Sequence, residues 1–119
     1  MRKRLRSFTF ALQGLRTAFA TQPNFRIHCL AASAALALNV TFSVSPVEWA
    51  LVVLAITAVM AAECLNSGLE MLGDAVTRER HELVGKAKDL GAAATLLCAL
   101  GALVVGMIVY LPRLMALLR

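Results

Sequence analysis

The sequence predicts an all-α membrane protein, with three transmembrane helices preceded by an N-terminal amphipathic helix on the bilayer surface. Three observations carry this. Of the 119 residues, 60% are hydrophobic, against about 45–50% in an ordinary soluble domain. Long apolar stretches alternate with short polar breaks. The first segment repeats its apolar residues at helical spacing. At this length one domain, residues 1–119, is expected.

The surface helix is expected over about residues 5–20. Leu5, Phe8, Leu12, Leu15 and Phe19 recur at three- and four-residue steps and form one stripe. Arg6, Gln13 and Thr17 occupy the other side, a division that suits a helix lying in the interface plane. The basic start, from Arg2 to Arg6, resembles the opening of a signal peptide. The following stretch is interrupted by Gln13 and Arg16 and lacks a convincing cleavage site, so it reads as retained.

Pro23 suits the first turn of a new helix, with Gln22 or a neighbour as the entry residue. The first span is expected at about 25–42. Ser45-Pro46-Val47-Glu48 then signals a helix start, with Ser45 as cap, Pro46 in the first turn and Glu48 completing a capping box. Trp49 stands where an interfacial aromatic belongs. This helix shows no break until about residue 76. Thirty residues make about 45 Å, longer than a hydrocarbon core of about 30 Å. The second span is therefore expected at about 46–64, with an aqueous extension to about 76. A charged connector over 76–88 leads to the third span, about 90–111, ended by Tyr110, Pro112 and Arg113. Ala94, Cys98, Ala102 and Gly106 form a small-residue ridge suited to close helix packing.

Basic residues orient the chain. Arg2, Lys3, Arg4, Arg6, Arg16 and Arg26 precede or open the first span, and Arg78, Arg80, Lys86 and Lys88 lie between the second and third. These ten of twelve Lys and Arg fall on one side, which the positive-inside rule makes cytoplasmic. The N-terminus is then cytoplasmic in a multi-pass membrane protein. With few aromatics and no basic–aromatic interleaving, nucleic acid is not an expected partner. Cys29, Cys64 and Cys98 are widely spaced and form no metal or disulfide pattern, so they read as packing residues.

The chemistry gathers at the inner end of the second span. On a helix, Glu63, Asn66, Ser67, Glu70 and Asp74 fall within an arc of roughly 100°. Carboxylates at a membrane boundary are costly and call for a function. Beside Lys88 and several arginines they suit a site where Mg²⁺ and nucleotide phosphates are held, since Mg²⁺ uses one or two protein carboxylates and phosphate oxygens. Lysine supplies a point charge to phosphate, and a second carboxylate can accept a proton from an attacking hydroxyl. No glycine-rich phosphate loop or protein-kinase signature is present. A structural polar cluster or a proton-linked transport path would use the same residue types.

The pattern Glu63-x-x-Asn66-Ser67-x-x-Glu70-x-x-x-Asp74, followed by Glu79-x-His81-Glu82-Leu83 and Gly85-Lys86-Ala87-Lys88-Asp89, resembles the small bacterial integral-membrane diacylglycerol kinase and undecaprenol kinase family. Gly14-Leu15-Arg16 and 24–28 extend the likeness over nearly the whole chain. The resemblance implies a homotrimer of three-span subunits in the bacterial inner membrane. Its active sites would be shared between chains at the cytoplasmic face, and ATP and Mg²⁺ would be used to phosphorylate a membrane lipid alcohol. It makes Glu63 the catalytic base at the lipid hydroxyl and Glu70 a metal-binding carboxylate beside the nucleotide. Asn66, Asp74, Glu79, Arg80, His81, Lys88 and Asp89 match nucleotide-binding positions, and Phe10 and Lys3 fall where the surface helix touches nucleotide. Arg16 and Arg26 read either as binding phospholipid headgroups or as snorkelling to the interface, and both suit a lipid-substrate entrance. One departure is Gln22, which occupies the position of a second metal-binding Glu; an amide oxygen can ligate Mg²⁺ without charge. The 24–28 stretch resembles the undecaprenol branch. The alternative is a small proton-coupled transporter, although those usually have four spans and a Glu deep in the first.

Overall fold

The computed structural model describes residues 2–119, with side chains described from residue 6 onward. Lys3 therefore falls outside the described side chains. Among the described residues every regular element is a helix. α1 is Arg2–Thr21, α2 Pro23–Thr41, α3 Pro46–Val76 and α4 Glu82–Leu117. α3 and α4 are long and apolar enough to cross a membrane.

α2 begins at Pro23 as expected, with Gln22 as N-cap. The Gln22 side chain makes no capping bond, which leaves its amide available for other work. At the far end of α2, Ser43 takes a left-handed backbone conformation with φ 47°. This lets the Val44 N–H reach back to the Asn39 carbonyl at 3.2 Å. The capping box at α3 forms in full. The Glu48 N–H donates to Ser45 Oγ at 3.3 Å, and the Ser45 N–H donates to Glu48 Oε2 at 2.8 Å. α3 then runs unbroken for 31 residues, about 46 Å.

One expectation needs correction. The charged connector is shorter than 76–88: only residues 77–81 leave helical structure, and α4 starts at Glu82. Glu82 and Lys86 pair one turn apart, and Glu82 suits the positive end of the helix, so this charged stretch is helix rather than loop. Pro112 does not end α4, which continues to Leu117. Its ring removes the donor that the Ile108 carbonyl would otherwise meet, and one turn of helix follows it. Of the small-residue ridge, Cys98, Ala102 and Gly106 are partly buried, and Ala102 and Gly106 line an apolar cavity of about 520 Å³ between α2, α3 and α4.

α3 and α4 run antiparallel and are pinned at both ends. At one end the Arg113 guanidinium grips the Glu48 carboxylate with two bonds of 2.9 Å. A small core of Val44, Val52 and Val109 lies beside it, flanked by Trp49, Ile56 and Tyr110. Trp49 thus packs partly inward. Tyr110 also ties α4 to α2, its hydroxyl standing 2.9 Å from the Ala35 carbonyl and 2.7 Å from Asn39 Oδ1. At the opposite end Lys88 of α4 pairs with Asp74 of α3. α1 packs beside this second end through Ala18, which is buried, while Phe8, Leu12 and Phe19 remain exposed. That uncovered stripe is what a helix lying on lipid presents.

Candidate active site

The polar stripe predicted on α3 is real, and its burial is graded. Glu63, Asn66 and Ser67 are buried, Glu70 is partly exposed and Asp74 is open. Glu63 is only 2% exposed, and among the described residues no hydrogen bond or ion pair engages its carboxylate. Its oxygens are thus uncommitted among the described residues. One turn on, Asn66 Nδ2 donates to Glu70 Oε1 at 3.2 Å. This bond orients one carboxylate oxygen and leaves the other free. Asn66 Oδ1 is buried without a partner.

α4 closes over this stripe because two glycines remove the side chains that would hold the helices apart. A Cβ at Gly73 would stand 2.7 Å from Lys88 Cε and 3.0 Å from Val84 Cγ1. A Cβ at Gly91 would stand 2.6 Å from Asn66 Oδ1. With that clearance Lys88 lies across α3 and reaches Asp74. Neither glycine was singled out from the sequence. The available signal was glycine inside strong helix formers, where it costs about 1 kcal/mol relative to alanine and so suggests a packing reason. Arg113 was read only as an end marker, and its pairing with Glu48 is visible only in the fold.

The other candidates divide clearly. Asn66, Glu70, Asp74 and Lys88 are brought together along the α3–α4 seam. Glu79 and Arg80 lie exposed in the connector, where the Glu79 N–H donates to Thr77 Oγ1 at 3.1 Å. His81 is the N-cap of α4 with an unused side chain. Asp89, Arg16, Arg26 and Phe10 are exposed. Gln22 lines a pocket of about 500 Å³ with Cys64, Ser67, Gly68 and Met71 of α3 and the facing side of α1.

Among the described residues no group of three or more His, Cys, Asp or Glu could hold a metal by itself. Glu70 offers one free carboxylate oxygen, and Asp74 is already paired. That donor set fits a metal ion that arrives with phosphate oxygens, as Mg²⁺ does with a nucleotide, better than one held by protein alone.

Comparison with known proteins decides the class. A sequence family described as prokaryotic diacylglycerol kinase matches residues 9–110. The chain belongs to the prokaryotic diacylglycerol kinase family. It is 37% identical over 99 residues to a diacylglycerol kinase of Haemophilus influenzae, covering 82% of this chain and 84% of that protein. It is 32% identical over 109 residues to an undecaprenol kinase of Bacillus subtilis, covering 92% and 89%. It is 33% identical over 95 residues to a diacylglycerol kinase of Escherichia coli K12, covering 80% and 78%. As a member of this kinase family the chain is a lipid kinase, and its two long apolar helices make it a membrane protein.

Proposed function

We propose that this lipid kinase transfers the γ-phosphoryl group of ATP, with Mg²⁺, to the hydroxyl of a membrane lipid alcohol at the cytoplasmic face of the bacterial inner membrane. The acceptor is diacylglycerol or undecaprenol, since relatives bearing both names match at similar identity. The observation that carries this reading is the graded stripe from buried Glu63 to exposed Asp74. It crosses from lipid depth to water within one helix.

Seven residues separate Glu63 from Glu70, about 10 Å along the axis. A lipid hydroxyl at the interface meets Glu63, while the nucleotide phosphates stay in the aqueous layer by Glu70. Glu63 takes the hydroxyl proton as the oxygen attacks the γ-phosphorus, and the bond to ADP breaks. Lys88, held by Asp74, places positive charge near the phosphates. Asn66 keeps Glu70 oriented. The connector residues Glu79, Arg80 and His81, with Asp89 and Phe10, form the nucleotide's rim; Lys3, whose side chain lies outside the described ones, belongs with them by the family resemblance alone. Arg16 and Arg26 face the headgroup layer where the substrate enters. Mg²⁺, when bound with ATP, neutralises phosphate charge, and Glu70 is its main protein ligand, with Gln22 the second candidate.

We read α2 as a third span, which places the N-terminus and the 77–81 connector in the cytoplasm. We read the assembly as a homotrimer whose neighbouring chains complete each site. In that assembly Gln22 of one chain need not serve the Glu70 of the same chain. The proton-coupled transporter reading is not favoured, because the family is one of kinases.

The test is transfer of label from γ-labelled ATP to lipid in detergent micelles or bilayers, with diacylglycerol and undecaprenol run side by side. Labelled phospholipid or polyprenyl phosphate that requires Mg²⁺ is expected. No Mg²⁺-dependent product with either lipid would sink the proposal.

A further inference from the structure

Gly91 stands out because the space its side chain would fill is taken by a neighbour that cannot step aside freely. A Cβ there would lie 2.6 Å from Asn66 Oδ1, 3.5 Å from Asn66 Cγ and 3.1 Å from Leu69 Cδ1. Asn66 is 8% exposed. Its side chain is short, and its Nδ2 is committed to Glu70 Oε1 at 3.2 Å. A methyl group at position 91 would therefore push the carboxamide and draw Nδ2 off Glu70. Gly73 offers a contrast. Its added Cβ would meet Lys88 Cε at 2.7 Å and Val84 Cγ1 at 3.0 Å, so it would press on the side chain that pairs with Asp74 rather than on the Asn66 carboxamide. Gly101 would meet nothing within 4 Å. The position of Gly91 is itself held, for Thr95 Oγ1 donates to the Gly91 carbonyl at 3.4 Å.

We infer that Gly91 is a positioning residue of the phosphotransfer site: it touches no substrate, but its bare Cα lets the Asn66 carboxamide rest against α4 and hold the Glu70 carboxylate. The order of action is Gly91 to Asn66 to Glu70. The buried, unpaired Asn66 Oδ1 fits this arrangement. An amide placed for its own hydrogen bonding would not leave its acceptor against a Cα. This inference rests on the reading of Glu70 as the carboxylate that meets the metal–nucleotide.

The experiment compares the full-length parent, Gly91→Ala, Asn66→Ala and the double variant, purified in detergent. Two quantities are read over a Mg²⁺ titration: thermal stabilisation by a non-hydrolysable ATP analogue, and turnover. Gly91→Ala is expected to raise the Mg²⁺ concentration for half-maximal stabilisation about tenfold, the usual scale for disturbing the partner of a metal-binding carboxylate. Its KM for lipid should stay near that of the parent. The double variant should be no worse than Asn66→Ala, because the carboxamide through which Gly91 acts is already gone.

An unchanged Mg²⁺ midpoint in Gly91→Ala, or losses that simply add in the double variant, would overturn the inference. Alanine is the better helix former, so a drop in thermal stability in Gly91→Ala also reports the clash. Should Gly91→Ala not fold, the double variant, freed of the blocking carboxamide, is expected to fold. A double variant that also fails overturns the inference. A parent protein with no Mg²⁺ response in either readout refutes the metal-site reading of Glu70 instead, so the two failures are told apart.

Discussion

Glu63 is buried to 2% exposure while Asp74, three turns further along the same helix, lies open. On the proposed reading, that gradient gives residues of the same type different work: the buried Glu63, without a partner among the described residues, accepts a proton from the lipid hydroxyl, and the exposed Asp74, paired to Lys88, steadies a charge. Glu63→Gln keeps the shape and removes the base, so turnover should fall by about 10²–10⁴-fold with KM for ATP little changed. Steady-state kinetics in mixed micelles decide it, and a variant retaining most of its turnover would remove Glu63 from the base role. At position 22 an amide replaces the acid that the family resemblance implies. Gln22→Glu should lower the Mg²⁺ concentration needed for half-maximal turnover, since a second carboxylate adds charge to the metal's surroundings. No change in that titration would place Gln22 outside the metal's reach.

Among the elements, α3 and α4 are held by polar pins at both ends and by two glycines near the Lys88–Asp74 end. The pins at the other end join Arg113 with Glu48, and Tyr110 with Ala35 and Asn39. Asn39 is fully buried on α2, and its Nδ2 has no partner. A Tyr hydroxyl has a single proton, so it cannot donate to both Ala35 and Asn39. If the Asn39 amide is turned, Nδ2 donates to the Tyr110 oxygen and Tyr110 donates to Ala35, which satisfies both donors. Tyr110→Phe should then cost about 0.6–1.7 kcal/mol, the range for interhelical hydrogen bonds in membranes. Thermal unfolding in detergent would show it, with turnover at permissive temperature preserved because the pin lies far from Glu63. Arg113→Ala should also lower the unfolding midpoint, and Glu48→Ala combined with it should add less than its separate effect, because the two residues form one ion pair.

For the whole molecule, little of the apolar surface is covered by protein. The buried hydrophobic residues are few, and long stripes on α1, α3 and α4 stay open, as expected where lipid and neighbouring chains are the surroundings rather than water. The homotrimer proposal belongs at this scale. Cross-linking in native membranes should yield a species of three chains, and a mixture of Glu63→Gln and Lys88→Ala chains should regain part of the lost turnover if sites are shared. No recovery on mixing would mean that each chain works alone. Chelation of Mg²⁺ should abolish turnover reversibly while leaving the helices folded, because the proposed ion arrives with the nucleotide phosphates and joins no two helices of the fold.

The elements themselves were legible from local signals. Ser45, Pro46 and Glu48 announced the start of α3, Pro23 announced α2, and the uninterrupted pattern to residue 76 gave α3 its length. These are short-range effects of capping, proline geometry and helical periodicity, which any chain carries in its order of residues. The polar face from Glu63 to Asp74 was legible for the same reason, since residues three and four apart must share a side of a helix. The connector was misjudged because charge was taken for loop, although Glu82 and Lys86 stabilise a first turn.

What lay beyond the sequence was every relation between elements. That Lys88 meets Asp74, that Gly91 makes room for Asn66, that Arg113 grips Glu48, and that Gln22 sits with Ser67 all depend on how α1, α2 and α4 pack against α3. Spacing along one helix fixes a face, because the backbone repeats every 3.6 residues. Which partner fills that face is set by contacts between residues distant in the chain, and only the tertiary structure decides those.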